Sequence, residues 1–333
     1  MQNVTRFSPA KINLTLAVGP VRPDGFHPLE SIVSQLDFGD RVNLTARPDG
    51  RIVVECDAAG IPIDQTNLAA RAALRLREEI VNSLERDVPG VTIRLDKSIP
   101  AGAGLGGGSS NAAATLLGLR RLWNVDIPAS RIAAIGAEIG SDVPLFLTDP
   151  ERLIVMRGRG GQIELLGHAL ISTPVLLAIP PIHSPTGAVY RRFDELAPPP
   201  TRPSAREVLA HIEAERRPSA AFPTSVFGAG DEFNPARAPV AWTRLGDPSS
   251  SAGMLARLAL FNDLQVAAED LNPGLRDFRE ATERIAGQNF LMTGSGAAYF
   301  TLYSPRDSVQ AKMTRSRLES ANSAAKFILT KMI

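Results

Sequence analysis

Leu14-Thr15-Leu16-Ala17-Val18 and Val42-Asn43-Leu44-Thr45-Ala46 alternate apolar with small or polar residues, the period-two pattern of half-buried strands. Val91-Thr92-Ile93-Arg94-Leu95 repeats it, and strand-like runs return at 152–157 and 174–179. Between the first two strands, Val21-Arg22-Pro23-Asp24-Gly25-Phe26-His27 contains a Pro-Asp-Gly turn. A helical period intervenes over 67–83, where Leu68, Ala72, Leu76 and Ile80 share one face and Thr66 is the expected N-cap. Ala112, Leu116, Leu119 and Trp123 recur at helical spacing, and another helix fits 129–139, ending near Gly140. From Ala197 to Gly253 the periodicity lapses into a stretch rich in Pro, Ala, Ser and Arg, opened by Pro198-Pro199-Pro200. It is expected to be a solvated insertion, with one helix over 204–216. Beyond it, helices are expected over 254–270, 275–286 and 306–322. Phe290 to Phe300 reads as a glycine-rich turn between strands, and the chain closes on a short apolar run. Alternating strands and helices imply an α/β or α+β protein. With about 150 residues per domain as a guide, the length suggests two domains.

The densest feature is Pro100-Ala101-Gly102-Ala103-Gly104-Leu105-Gly106-Gly107-Gly108-Ser109-Ser110-Asn111. It follows the strand at 91–95 and precedes the helix beginning at Ala112. Strand, glycine loop and helix N-terminus in that order aim backbone N–H groups and a positive dipole end at one spot, which suits a phosphate. Gly102, Gly104 and Gly107 satisfy G-x-G-x-x-G, yet Asp126, at the spacing of a ribose-binding acid, follows the helix with no second strand between. A Walker A loop needs a Lys that is missing here, and the His-Arg-Asp element of protein kinases is absent.

Two other segments supply what the loop lacks. In Pro9-Ala10-Lys11-Ile12-Asn13-Leu14, alternation sends Lys11 and Asn13 to one face of a strand. Gly140-Ser141-Asp142-Val143-Pro144 places a carboxylate at a helix-to-strand corner. A base, a cation and a phosphate cradle are together the parts of a phosphoryl-transfer site.

Composition narrows the partners. A net charge of +1, with no basic tract, offers no general attraction to nucleic acid or to an anionic membrane. The single cysteine, Cys56, excludes an internal disulfide framework and a multi-cysteine zinc site, and reads as a strand residue. The N-terminus lacks the apolar core of a signal peptide, and no run approaches the ~20 apolar residues of a membrane span, so a soluble cytoplasmic protein is expected.

These segments, with Leu36-Asp37-Phe38-Gly39-Asp40, Lys97 to Asn111 and Thr293-Gly294-Ser295-Gly296-Ala297, resemble the GHMP kinases, the galactokinase, homoserine, mevalonate and phosphomevalonate kinase superfamily. The Asp24-Gly25-Phe26-His27 strip is similar to that of the branch acting on a diphosphocytidyl sugar alcohol. The resemblance implies an α+β, two-domain architecture: an N-terminal ribosomal-protein-S5-like α/β domain over 1–160 and a C-terminal ferredoxin-like α/β domain over 161–333. It implies ATP and Mg²⁺, a small-molecule acceptor, no nucleic acid or membrane partner, and a monomer or weak homodimer. Asp142 would be the catalytic base and Lys11 would orient the hydroxyl. Pro100, Ala101, Gly102, Ala103, Gly104, Leu105, Gly106, Gly107, Gly108, Ser109 and Ser110 would bind ATP, with Ser109 or Ser110 near the metal. Asn67 and Leu68 would contact the adenine side. Asn13 would position the substrate, His27 would read the cytosine edge, and Phe26 and Tyr190 would stack on the ring. Thr186 lies in Ser184-Pro185-Thr186-Gly187-Ala188-Val189-Tyr190, similar to a Pro-Thr segment of the family. The chain departs from the family at Phe26, where tyrosine is usual, at Gly187, where proline is frequent, and in the 197–253 insertion. Three alternatives stay open: a homoserine- or mevalonate-type kinase, a nucleotide-binding regulator without catalysis, and an RNA-binding α/β module. Phe26-His27, intact Lys11 and Asp142, and the near-zero net charge count against each in turn.

Overall fold

A long strand, β3 (Leu29–Arg47), organises the first sheet. It pairs antiparallel with β1 (Asn3–Asn13), with β2 (Thr15–Val18) and β6 (Arg152–Gly158) at its start, and with β5 (Gly90–Asp96) at its end. β4 (Ile52–Cys56) runs parallel to β5, and β7 (Gln162–His168) folds back on β6. The computed structural model describes residues 2–168, 172–196, 204 and 260–333, so the 197–253 insertion and its expected helix lie, Ser204 apart, outside the described residues. The β1–β3 register shifts between Pro9 and Lys11, where proline has no N–H to give the ladder. Lys11 N–H instead leaves the sheet and donates to Leu105 O of the glycine loop at 3.0 Å.

A second sheet is antiparallel throughout: β10 (Leu291–Met292), β11 (Tyr299–Leu302), β8 (Pro174–Ile179) and β12 (Lys326–Lys331), in that order. Counted along the chain this is the 4-1-3-2 order of a ferredoxin-like sheet. A two-residue strand, β9 (Phe261–Asn262), crosses over to pair in parallel with β2 of the first sheet.

Helices cover the outer faces. α1 (Leu68–Leu84), α2 (Gly107–Leu122) and α3 (Ala129–Ile139) pack on the first sheet around Leu44, Leu76, Ile80, Ile93, Leu116 and Ile135. A Cβ on Gly118 would lie 2.4 Å from Leu44 Cδ1, so α2 sits directly on β3. α4 (Thr186–Glu195), α5 (Leu264–Leu271), α6 (Pro273–Ala286) and α7 (Ser308–Ala321) cover the second sheet around Leu176, Leu275, Tyr299 and Phe327. Between the sheets lies a third apolar layer, including Ile12, Leu36, Leu177 and Phe300, and the glycine loop inserts Ala103 and Leu105 into it. Among the described residues, no helix is long and apolar enough to cross a membrane.

Three local expectations change, and one helix is new. Asn67, not Thr66, caps α1: its side chain accepts from Ala69 N at 2.9 Å, while the Thr66 hydroxyl turns back to Asp64. After Gly140 the chain enters a 3₁₀ turn, Pro144–Leu147, not a strand, because Pro144 supplies helical φ at its first position. Residues 186–195 form a helix whose buried Val189 faces the second sheet. The helix expected from 254 begins, in its described part, only at Leu264, because Asn262 accepts from Leu264 N and ends the preceding strand there.

Candidate active site

Two glycines dictate the path of the loop. Gly104 has φ +75°, and a Cβ there would lie 2.3 Å from Thr293 O. Gly106 has φ +73°, with Phe146 Cζ at 2.8 Å and Lys11 Cγ at 3.0 Å from a Cβ position. No side chain caps α2, which leaves the N–H groups of its first turn without a side-chain acceptor, the condition for an anion to bind there. Leu68, at the start of α1, reaches to 3.6 Å of a Cβ position on Gly108, setting the N-termini of α1 and α2 side by side. Asn67 is occupied in holding its own turn, with Nδ2 donating to Pro62 O at 2.6 Å.

Beneath the loop lies a buried polar network that sequence reasoning missed. Asp40, fully buried on β3, accepts from Ser98 N at 2.7 Å and Ile99 N at 2.8 Å, just where the chain leaves β5. Its other oxygen accepts from Asn111 Nδ2 at 2.9 Å and from the Lys97 ammonium. Asn111 Oδ1 accepts from Lys97 Nζ at 2.9 Å, and Asn111 Nδ2 also donates to Ser8 Oγ, which in turn donates to Ser110 Oγ at 2.8 Å. One carboxylate thus ties the entrance of the loop to the first turns of α2. Ser110 points into this network, whereas Ser109 makes no side-chain hydrogen bond among the described residues.

The second glycine turn forms the facing wall. Ala298 N donates to Ala103 O at 3.1 Å, and Asn262 Nδ2 reaches Met292 O at 2.8 Å and Gly294 O at 2.7 Å. Thr293 Oγ1 accepts from Asn13 N at 3.0 Å and donates to Asn13 Oδ1 at 3.2 Å. Asn13 Oδ1 also accepts from Lys11 Nζ at 2.5 Å, and its Nδ2 donates to Ser31 Oγ at 2.8 Å. Asn13 therefore holds the ammonium of Lys11 in place. Burial pushes that lysine below its ordinary value, and the charge of Asp142 opposes the shift. The sequence does show Thr293 to Ala297 as a turn, but no spacing rule links it to Lys11.

Asp142 stands half-buried at the corner between α3 and the 3₁₀ turn. Gly160, in the β6–β7 turn, backs it: a Cβ there would lie 3.6 Å from Asp142 Oδ1. Tyr190 on α4 is pushed up to about 12, by burial first and by the Asp142 charge second. Tyr190 and His27 rings lie 5.1 Å apart, and Phe193 meets His27 edge-on at 5.9 Å. Both His27 nitrogens have neighbours, Gly19 O at 2.9 Å from Nδ1 and Asp194 Oδ2 at 3.4 Å from Nε2. Phe26 is exposed, and its ring carries the Arg159 guanidinium 3.8 Å from the centroid, not the Tyr190 ring. Thr186 Oγ1 lies 2.8 Å from Ser295 Oγ, joining α4 to the second glycine turn.

The fold and this loop define a GHMP kinase. The model of the GHMP kinases N-terminal domain matches residues 67–149. A 4-diphosphocytidyl-2-C-methyl-D-erythritol kinase of Brevibacillus brevis is 42% identical over 295 residues, covering 89% of this chain and 86% of that protein. One of Burkholderia mallei is 37% identical over 229 residues, 67% of this chain and 71% of its own. The crystal structure of a 4-(cytidine 5'-diphospho)-2C-methyl-D-erythritol kinase superposes with TM-score 0.66 at 28% identity, covering 98% of this chain and 99% of that one. A homoserine kinase from Cytophaga hutchinsonii, TM-score 0.61 at 14% identity over 100% of this chain and 98% of its own, shares the fold. The chain belongs to the 4-diphosphocytidyl-2-C-methyl-D-erythritol kinase family of GHMP kinases.

Proposed function

We propose that this chain transfers the γ-phosphoryl of ATP to the 2-hydroxyl of 4-diphosphocytidyl-2-C-methyl-D-erythritol, a step of isoprenoid precursor synthesis by the non-mevalonate route. The observation that carries the reading is the position of Lys11. Its stem packs at Gly106 of the loop, its ammonium is held by Asn13, and it senses the charge of Asp142. The packing of Lys11 against the glycine loop, and the opposing pull of the Asp142 charge on it, support a cradle, a cation and a carboxylate acting together.

A tertiary hydroxyl is a poor nucleophile, and phosphoryl transfer passes through a loose transition state, so catalysis rests on positioning and charge neutralisation. Asp142 accepts the hydroxyl proton as the bond from oxygen to the γ-phosphorus forms and the bond to the departing ADP breaks. Lys11 offsets the charge on the transferring group. N–H groups from Gly104 to Ser110 cradle the phosphates, with Pro100, Ala101, Gly102 and Ala103 leading in, and Asn67 and Leu68 border the adenine. No cluster of three or more His, Cys, Asp or Glu suited to a metal occurs among the described residues. The hydroxyl of Ser109, beside that of Ser110, fits Mg²⁺, which is commonly held through substrate phosphates and water. When bound, Mg²⁺ supplies neutralisation of phosphate charge. Phe26, His27 and Tyr190 enclose the base, with Thr186 nearby.

The test is ADP release with the cytidyl alcohol set against homoserine and mevalonate. The cytidyl substrate should give the highest kcat/KM. A better acceptor among the others reassigns the substrate, and no turnover with any of them sinks the kinase reading.

A further inference from the structure

The acceptor carries a diphosphate between its base and its reacting end, and the site residues discussed so far leave that charge without a partner. We propose that Arg159 and Arg22, held in place by Asp24, bind this diphosphate and make the site selective for a nucleoside diphosphate over a nucleoside. The inference rests on the substrate reading above.

Three observations carry it. First, Arg159 is placed between the two ends of the site. Its neighbour Gly160 backs the Asp142 carboxylate, with 3.6 Å from a Cβ position to Oδ1, while its own guanidinium lies over the Phe26 ring at 3.8 Å. One short turn between β6 and β7 therefore touches both the reacting carboxylate and the base-binding strip. Second, the cluster has a net positive charge. Arg159 Nη2 lies 3.0 Å and Arg22 Nη2 3.1 Å from the same oxygen of Asp24, so two guanidiniums share one carboxylate. Third, the donors are oriented yet not used up. Asp24 is fixed by Phe26 N at 3.0 Å, and the strip is closed by Arg22 N–H to Phe26 O at 2.9 Å. Arg159 makes no other side-chain hydrogen bond than that to Asp24 among the described residues, and its side chain is about half exposed at 47%. A guanidinium has five N–H donors in a planar fork that matches phosphate oxygens, so most remain for a ligand. Stacking on Phe26 and pairing with Asp24 hold the fork in place before the ligand arrives, which lowers the ordering penalty on binding.

The experiment compares CDP with cytidine as ligands of the wild type, Arg159→Ala and Arg159→Lys, by calorimetry, alongside steady-state kinetics. The wild type should bind CDP about tenfold or more tightly than cytidine, a preference that falls with added salt because the cluster is exposed. Arg159→Ala should lose most of that preference and raise KM for the cytidyl substrate about tenfold, with KM for ATP and the melting temperature unchanged. Arg159→Lys should recover part of it, since a lysine keeps the charge without the fork. Equal weakening of CDP and cytidine in Arg159→Ala would mean that the arginine only props Phe26, and it overturns the proposal. So does an Arg159→Ala protein that binds both like the wild type. A wild type that turns over another alcohol and binds neither cytidyl ligand overturns the substrate reading itself, a result distinguishable from either of those.

Discussion

The two halves of the site are built differently. On the phosphate side almost every polar group is buried and committed: Asp40 to two backbone amides, Lys97 and Asn111, and Lys11 to Asn13, itself clasped by Thr293 and Ser31. A Cβ on Gly104 would meet Thr293 O at 2.3 Å, so the loop packs on the second glycine turn too closely for a side chain there. On the acceptor side Phe26 is exposed, Asp142 and Tyr190 are half-buried, and Arg159 keeps free donors. The difference separates two tasks. On the proposed reading, a preorganised phosphate side sets the reaction class, since cradle and cation need no rearrangement when charge develops. On the same reading, an open acceptor side can be changed residue by residue without disturbing the fold, so substrate identity would be set there.

The largest effect that this division predicts lies where the halves meet. Asp142→Asn should lower kcat by about 10²–10⁴-fold, the usual share of a general base, while nucleotide affinity measured by calorimetry stays near that of the wild type. Near-normal turnover would remove the base assignment; a matching loss of ATP affinity would place Asp142 on the phosphate side.

A second prediction sets the Asp40 network against a similar cluster remote from the site. In the helical layer over the second sheet, buried Glu269 accepts from Arg279 Nε at 2.7 Å and from Tyr299 Oη at 3.1 Å, and Arg279 also reaches Glu283. Each cluster buries a carboxylate against a cation, so Asp40→Asn and Glu269→Gln should each cost about 3 kcal/mol in urea unfolding. Asp40→Asn should in addition raise KM for ATP about tenfold, because its partners are the amides at the loop entrance and Asn111 on α2. Glu269→Gln should leave both KM values unchanged. Equal kinetic behaviour in the two variants would erase the distinction between a network that positions the loop and one that only holds the fold.

His27→Ala probes the buried ring of the acceptor half, where a smaller effect is expected. It removes a ring packed on Tyr190 and Phe193 and the contact with Asp194. KM for the cytidyl substrate should rise about tenfold with KM for ATP constant. A change in the ATP value alone would move His27 out of the acceptor side.

Local pattern carried the reaction class and little of what supports it. Alternation alone sets Lys11 and Asn13 on one face, and strand-glycine-helix order alone marks a phosphate loop. Asp40 and Ile99 are 59 residues apart, and Asn13 and Thr293 are 280 apart, so their bonds leave no periodic trace. Arg159 sits in Arg157-Gly158-Arg159-Gly160-Gly161, a run that matches no motif by itself. Only the return of β7 onto β6 carries that turn to Asp142, and β7 was hidden because Gln162-Ile163-Glu164-Leu165-Leu166 alternates too briefly to mark a strand. Chain-local motifs made the reaction class legible; contacts made by two distant turns meeting left no local trace.

The smallest expected effect concerns Lys11, the committed cation of the phosphate side. Burial lowers its folded value below the ordinary lysine value of about 10.4, and the Asp142 charge works against that shift. Above the lowered value the folded protein has released the proton while the unfolded chain still holds it. The unfolded state then binds more protons, so stability rises with pH across the window from the folded value up to the unfolded one. Below that window both states are protonated and the penalty for burying the charge is fully present. Wild type should therefore gain stability relative to Lys11→Met as pH rises towards 10, read from urea midpoints. In an Asp142→Asn background the window should open at lower pH, because the carboxylate no longer supports the ammonium. A wild-type advantage independent of pH would show that the Asn13 bond and the Asp142 charge hold Lys11 charged throughout, and the phosphate side would then be less desolvated than its burial implies.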